Sequence, residues 1–258
     1  MMVAEEVRVQ SHGFLGGRVA LLRPVSGHRP GLDAALLQAA VSPGRKGFCV
    51  EFGCGTGAVA LSVAVRAPGL RVLGVDLDEE ALHQARGALS LPENRSFADR
   101  VAFREADVTD AALSEHLGVG EQAELVLMNP PFYAAGDVSA SPDARRRSAH
   151  QAEEDPLPRW IAAAAALLSR KGGIAIIHRA DRLAVILREL EDRRFGSIKI
   201  LPFYAHAGDD AGRVVVSARL GGRTPMQLRA GLVLHEGDGA WTSGADAILR
   251  GEADFGLL

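Results

Sequence analysis

Residues 125–136 read LVLMNPPFYAAG, an apolar run ending in an asparagine, two prolines and two aromatics. Proline has no N–H to donate to a sheet ladder, so Pro130 and Pro131 must lie beyond the last paired residue of the strand formed by Leu125 to Met128. Each proline also holds its predecessor in extended geometry, which turns the carbonyls of Asn129 and Pro130 away from any helix. The side-chain oxygen of Asn129 and the backbone oxygen of Pro130 then make a stiff row of acceptors, flanked by the flat faces of Phe132 and Tyr133. Such a row suits a planar group bearing an NH2. The same residues would also serve as a rigid exit loop whose aromatics cover the core.

A second constellation lies upstream. The stretch EFGCGTGA places Gly53, Gly55 and Gly57 between a strand and the helix that follows it, where a tight backbone turn and the first helical N–H groups can approach a polar ligand. Asp76 ends the next strand, placed to accept from both hydroxyls of a ribose. Asp107, in READV after the third strand, is placed to accept from an adenine amino group. Either aspartate would also suit the start of a helix as a cap. Gly53, Gly55 and Ala58 fit the dinucleotide pattern of a dehydrogenase as well. Three features weigh against that reading: Glu51 stands where a dehydrogenase more often has an apolar residue, the sheet ends in an antiparallel hairpin, and the fourth strand ends in Asn-Pro-Pro-Phe.

The elements that must position these residues are legible as alternation. FCVEF, RVLGV and RVAFREA are apolar runs, each followed by a stretch of helical period: residues 58–66, 78–89 and 110–117. Three βα units in series predict a parallel sheet. AELVLM, a helix over 157–169, the strand GIAIIH and a helix over 181–193 continue the pattern. Then SIKILPFY and RVVVSARL follow one another with no helix between them, which predicts an antiparallel edge hairpin. The expected fold class is therefore α/β: a Rossmann-like, doubly wound, seven-stranded sheet, mostly parallel. Residues 1–47 read as a hairpin turning at Gly16-Gly17 and a helix from Asp33 to Val41, packed on a main domain spanning 48–258. The last part of that domain reads as an added strand, turn and helix, the helix begun by Thr242 or Ser243.

Composition narrows the function classes. The 258 residues are 47% hydrophobic and 24% charged, ordinary for a soluble globular protein, and no apolar stretch approaches the roughly 18 residues of a membrane span. No signal peptide is visible, and Cys49 and Cys54 read as free buried thiols, so the cytoplasm is the expected compartment. The eight histidines never fall at metal-ligand spacing, and no metal is expected. A net charge of −3 argues against bulk capture of nucleic acid, yet residues 1–47 carry six basic residues against three acidic ones. Arg145, Arg146 and Arg147 form a second basic run, either a clamp on phosphates or solvated surface. Trp160 and Trp241 read as packing residues.

With these residues in view, the chain resembles the class I S-adenosylmethionine-dependent methyltransferases over about residues 48–220. Within them it looks like the amino-methylating branch marked by (N/D)-P-P-(F/Y/W), here Asn129-Pro130-Pro131-Phe132. The flanks GHRPGLDAALLQAA, SPDARRRSAH and LVLHEGDGAWTSGADAILRGEADFGLL are similar to those of the bacterial tRNA(Val) adenine-N6 methyltransferases. That family often has Lys and Gly-Thr-Asp where this chain has Arg29 and Gly31-Leu32-Asp33. The resemblance implies S-adenosyl-L-methionine as cofactor and tRNA as partner. It assigns Glu51 to the methionine amine, Gly53, Gly55 and Gly57 to the cofactor lining, Asp76 to the ribose and Asp107 to the adenine. Asn129, Pro130 and Phe132 become the catalytic group, and Arg29, Asp33, Tyr133 and Arg145 to Arg147 the substrate contacts. Protein glutamine N5 and DNA adenine methyltransferases share the motif. The first typically has a separate helical domain at its amino end, and the 47 residues here are too few for one. A dehydrogenase and a non-catalytic RNA-binding module are the alternatives from other classes.

Overall fold

A computed structural model of the chain describes residues 9–24, 31–110, 113–117, 122–131 and 155–258. Its centre is a sheet whose strands are β3 (Lys46–Phe52), β4 (Gly69–Asp76), β5 (Val101–Glu105), β6 (Ala123–Met128), β7 (Leu168–Arg179), β8 (Phe195–Tyr204) and β9 (Ala211–Leu220). The spatial order is β8-β9-β7-β6-β3-β4-β5. Strands β5, β4, β3, β6 and β7 run parallel, and β9 is antiparallel to both of its neighbours. The chain leaves β3 for β4 on one side and later returns to place β6 on the other. The crevice between β3 and β6 is thus the point where strand order reverses, and ligands bind at the carboxyl ends of strands there.

The parallel strands carry apolar residues on both faces because helices cover both. Leu125 and Leu127 join one buried cluster with residues of α1 (Leu32–Gln38), α2 (Ala58–Arg66) and α3 (Glu79–Ala88). Val126 and Met128 join the other, with α4 (Leu113–His116), α5 (Leu157–Leu167) and α6 (Leu183–Asp192). Side chains alternate across a strand, so a near-continuous apolar run is what a sheet buried on both faces requires.

The strand count departs from the seven expected. Residues Gln227–Leu228 (β10) and Leu232–Val233 (β11) pair in parallel with the outer side of β8, making nine strands. An outermost β8 would present a row of unpaired N–H and C=O groups. The closing segment satisfies part of it, through Arg229 N–H to Ile200 O and Leu234 N–H to Tyr204 O. A two-residue strand has no periodicity to read, which is why β10 escapes a sequence pattern. Thr242 does cap the last helix, α7 (Ser243–Leu249), accepting from the Ala245 N–H. Helix α5 ends at Leu167, two residues earlier than its apolar pattern suggests, and β7 begins at once.

The hairpin of β1 (Val9–Phe14) and β2 (Val19–Pro24) forms its own two-stranded sheet. Buried Asn94 pins it to the larger sheet's helices: its Oδ1 accepts from Ala20 N–H, and its Nδ2 donates to Ala20 O and Ala88 O. Among the described residues, no helix is long and apolar enough to cross a membrane.

Candidate active site

The glycine loop leaves β3 at Phe52, which lies opposite Met128, so the loop and Asn129 leave neighbouring strands at the same level. Gly53 has φ +67°, a left-handed conformation that side chains avoid. A Cβ built there would stand 2.6 Å from Cη2 of Trp160, which packs down onto the loop from α5. The Gly53 and Cys54 N–H groups donate to Val75 O at 2.8 and 3.1 Å, locking the loop to β4. By contrast, nothing lies within 4 Å of a Cβ built on Gly55, so the loop's middle faces open space.

Asp76, half-buried at the end of β4, organises this loop. Its Oδ2 accepts the Gly55 N–H at 2.7 Å and its Oδ1 accepts the Asp78 N–H at 2.9 Å. The helix cap is the next aspartate, Asp78, which accepts from Glu80 and Ala81. Asp76 therefore keeps one further lone pair on each oxygen for a ligand. Leu77, between the two aspartates, is 54% exposed. It is an exposed apolar side chain at the carboxyl end of β4 that pattern reading passes over; its only signal is an apolar residue between two acids just past a strand.

Glu51 lies beneath the loop and is only 3% exposed. Burial pushes its carboxyl well above the usual carboxylate range, the N–H of Ala60 opposes that shift, and nearby Asp76 adds to it. Its Oε2 is buried with no hydrogen-bond partner among the described residues. Cys54 is also pushed up, first by burial and then by Glu51 and Asp76, so the loop thiol stays protonated. Both cysteines are free and buried.

Beyond β6, Asn129 is half-buried and Pro130 buried. Oδ1 of Asn129 is shielded from solvent and has no hydrogen-bond partner among the described residues. Buried side-chain oxygens are nearly always paired, so Oδ1 of Asn129 and Oε2 of Glu51 are exceptions among the described residues.

Asp107 follows β5, where its Oδ1 accepts both the N–H and the hydroxyl of Thr109. That local turn fixes the carboxylate and leaves its other oxygen outside the turn. Asp33, in the first turn of α1, accepts from Arg213 Nε at 3.2 Å and ties α1 to the start of β9. His178 of β7 shares the strand face of Ile174 and Ile176, away from Glu51, and its Nδ1 accepts the Arg179 N–H. Burial lowers its pKa to about 4. Trp160, expected to pack, does so at the crevice itself, edge-on to Phe52. Phe132, Tyr133, Arg29 and Arg145 to Arg147 lie outside the described residues. Among the described residues, no group of His, Cys, Asp and Glu side chains could hold a metal ion.

This arrangement has relatives. A protein of Porphyromonas gingivalis named tRNA1(Val) (adenine(37)-N6)-methyltransferase is 35% identical over 160 residues, and the match covers 60% of each chain. This chain thus spans about three fifths of that relative's length. A protein of the same name from Aeromonas hydrophila is 27% identical over 82% of this chain and 84% of its own. Among solved structures, a predicted O-methyltransferase from Agrobacterium tumefaciens is 30% identical, with a TM-score of 0.72, and the match covers 86% of this chain and 98% of that one. Residues 31–190, from the first turn of α1 through most of α6, match the model of the methyltransferase small domain. The chain belongs to the methyltransferase small domain family.

Proposed function

We propose that the protein transfers a methyl group from S-adenosyl-L-methionine to the exocyclic N6 amine of an adenine in tRNA, in the cytoplasm. The observation that carries this reading is Oδ1 of Asn129, buried and unpartnered among the described residues and held by two prolines at the level of the glycine loop. Two converging acceptors fit the two hydrogens of an amine, whereas a hydroxyl has one to give. The names of the Porphyromonas and Aeromonas relatives support adenine in tRNA as the substrate.

When bound, the cofactor supplies an electrophilic methyl on a sulfonium. The chain's own residues do the rest. Asp76 accepts from the ribose hydroxyls with its remaining lone pairs, while its bonds to Gly55 and Asp78 keep it aimed. Glu51 meets the methionine amine, directly or through water, and that positive charge would return its carboxyl to the ionised form. The oxygen of Asp107 left outside its turn would accept from the adenine of the cofactor. Gly53, Gly55 and Gly57 let the backbone come close.

An adenine amine is a weak nucleophile because its lone pair is delocalised into the ring. Asn129 Oδ1 and Pro130 O accept its two hydrogens, favour a pyramidal nitrogen and stabilise the positive charge that grows during transfer. Phe132 stacks on the base and holds the amine in line. The methylated cation gives its proton to water. A base in an anticodon loop is already single-stranded and is splayed out at lower cost than a paired one. Arg29, Tyr133 and Arg145 to Arg147 complete the tRNA contacts, and Asp33 holds α1 in place through Arg213.

The test is labelled-methyl transfer onto fractionated RNA, DNA and protein from cells lacking this gene. Label should appear in tRNA as N6-methyladenosine. Label recovered only in protein would overturn the reading in favour of a side-chain amide substrate.

A further inference from the structure

The end of the sheet opposite the crevice carries a concentration of positive charge that the proposed chemistry does not use. Arg45 and Lys46 stand at the start of β3, Arg170 and Lys171 near the start of β7, Arg194 just before β8, and Arg219 near the end of β9. The pairing registers bring these positions to one end: Arg219 lies opposite both Gly173 and Gly196, and Gly173 lies opposite Leu125, itself opposite Cys49. None of the six makes an ion pair or a side-chain hydrogen bond among the described residues. The acidic side chains standing against them are Glu124 beside Arg45 and the exposed Glu191 and Asp192 at the end of α6. In a chain of net charge −3, such a surplus at one end is a strong asymmetry.

Two further observations concern this rim. Nε and Nη2 of Arg45 are buried without a partner, although Arg219 is close enough to disfavour the charge on Arg45. Two of the three guanidinium nitrogens are thus shielded from water with no acceptor, and Glu124 nearby only partly offsets the second cation. Secondly, Lys171 and Arg194 adopt φ of +69° and +62°. Glycine would sit there without strain, yet both positions hold long basic side chains that are exposed. Arg194 takes that conformation in the turn that closes α6, its N–H donating to Glu191 O, and both residues leave their cations exposed on the rim.

We infer that this rim is a second RNA-binding surface, which grips the phosphate backbone of the tRNA body while the target base occupies the crevice. The inference rests on the proposed tRNA substrate. Strand β3 has seven residues, and at about 3.3 Å each it separates the rim from the glycine loop by roughly 20 Å. A nucleotide or short loop bound in the crevice cannot span that distance. A folded RNA can, and the rim then distinguishes a whole tRNA from an isolated loop. Its cations are placed to neutralise phosphates, so its part is to position the substrate.

The test compares wild type with the combined variant Arg170→Ala, Lys171→Gly, Arg194→Gly, Arg219→Ala. Two of these changes place glycine where φ is positive, so thermal unfolding should show a fold at least as stable. Methyl transfer is measured on whole tRNA and on a short single-stranded oligoribonucleotide containing the target adenine, across a salt series. The KM for whole tRNA should rise about tenfold or more, and its log–log salt slope should fall by about 0.7 to 0.9 for each phosphate that the variant no longer neutralises. The oligoribonucleotide should be methylated as by wild type. Equal behaviour of variant and wild type on whole tRNA would overturn the inference and leave the proposed function intact. Equal losses on both RNAs would also overturn it, because the rim would then act through the crevice. Wild type that methylates neither RNA would overturn the function itself.

Discussion

Replacing Asn129 by alanine separates the acceptor from the loop that carries it. In the resting protein Oδ1 is buried and unpartnered, so its removal breaks no hydrogen bond among the described residues. A buried acceptor without a donor is destabilising by about 1–3 kcal/mol, and losing it offsets the small loss of packing from the truncated side chain. Stability should therefore change by no more than about 1 kcal/mol, a Tm shift of roughly 2–4 °C in a chain of this size. Catalysis should respond quite differently. If Oδ1 gains its partner only as the amine pyramidalises, kcat should fall by about 10² to 10³, or about 2.7–4 kcal/mol of transition-state stabilisation. Single-turnover methyl transfer at saturating cofactor isolates that step from binding and release. Asn129→Asp keeps an acceptor at the same point and should retain more activity than alanine, with Pro130 and Pro131 fixing the backbone in both variants. An alanine variant as fast as wild type would reduce the acceptor row to a strand exit. A large loss of stability with an unchanged rate would show that the asparagine serves folding alone.

Asp76→Ala should weaken S-adenosylmethionine binding by about 1.5–3 kcal/mol in calorimetry, since it removes both the ribose acceptor and the bond that aims Gly55. NAD should not compete for the site. Gly53→Ala should destabilise the fold by about 1–3 kcal/mol in denaturant titrations, because its Cβ would meet Trp160 at 2.6 Å and must sit at positive φ; pairing it with Trp160→Ala should recover part of that loss. For Glu51 the folded pKa is raised, so the native state holds the proton longer than the unfolded chain and stability falls as pH climbs above the usual carboxylate range. Glu51→Gln should therefore flatten that decline in cofactor-free unfolding curves while weakening cofactor binding. His178 behaves in the opposite sense: with a folded pKa of about 4 against 6.5, it favours folding above pH 6.5 and loses that contribution as pH falls toward 4. His178→Gln should flatten the acid limb over that window.

Much of the fold was legible because its signals are local. Strands buried on both faces must be apolar throughout, and FCVEF, AELVLM and GIAIIH show it. Proline must end a ladder, so the break after Met128 could be placed to the residue. The antiparallel pair β8 and β9 was visible from the absence of a helix between two apolar runs. The added strand read in GLVLH is β11, but β10 was not visible, since two residues carry no period, and the pairing of both with β8 depends on an exposed edge distant in sequence.

At the candidate site, residue types and their order determined the glycine loop, the acidic residue after β4 and the asparagine before two prolines. Each of these follows from backbone chemistry within a few residues. Only the tertiary structure decided what those groups touch. It set Asp76 on the loop's own N–H and left the cap to Asp78, engaged one oxygen of Asp107 with Thr109, and paired Asp33 with Arg213 across 180 positions of sequence. Among the described residues it left Oε2 of Glu51 and Oδ1 of Asn129 buried without partners, and it drew six cations that make no ion pair from four strands to one rim. Burial and pairing are properties of register and packing between distant segments, and a one-residue shift of any strand would turn these side chains to the other face.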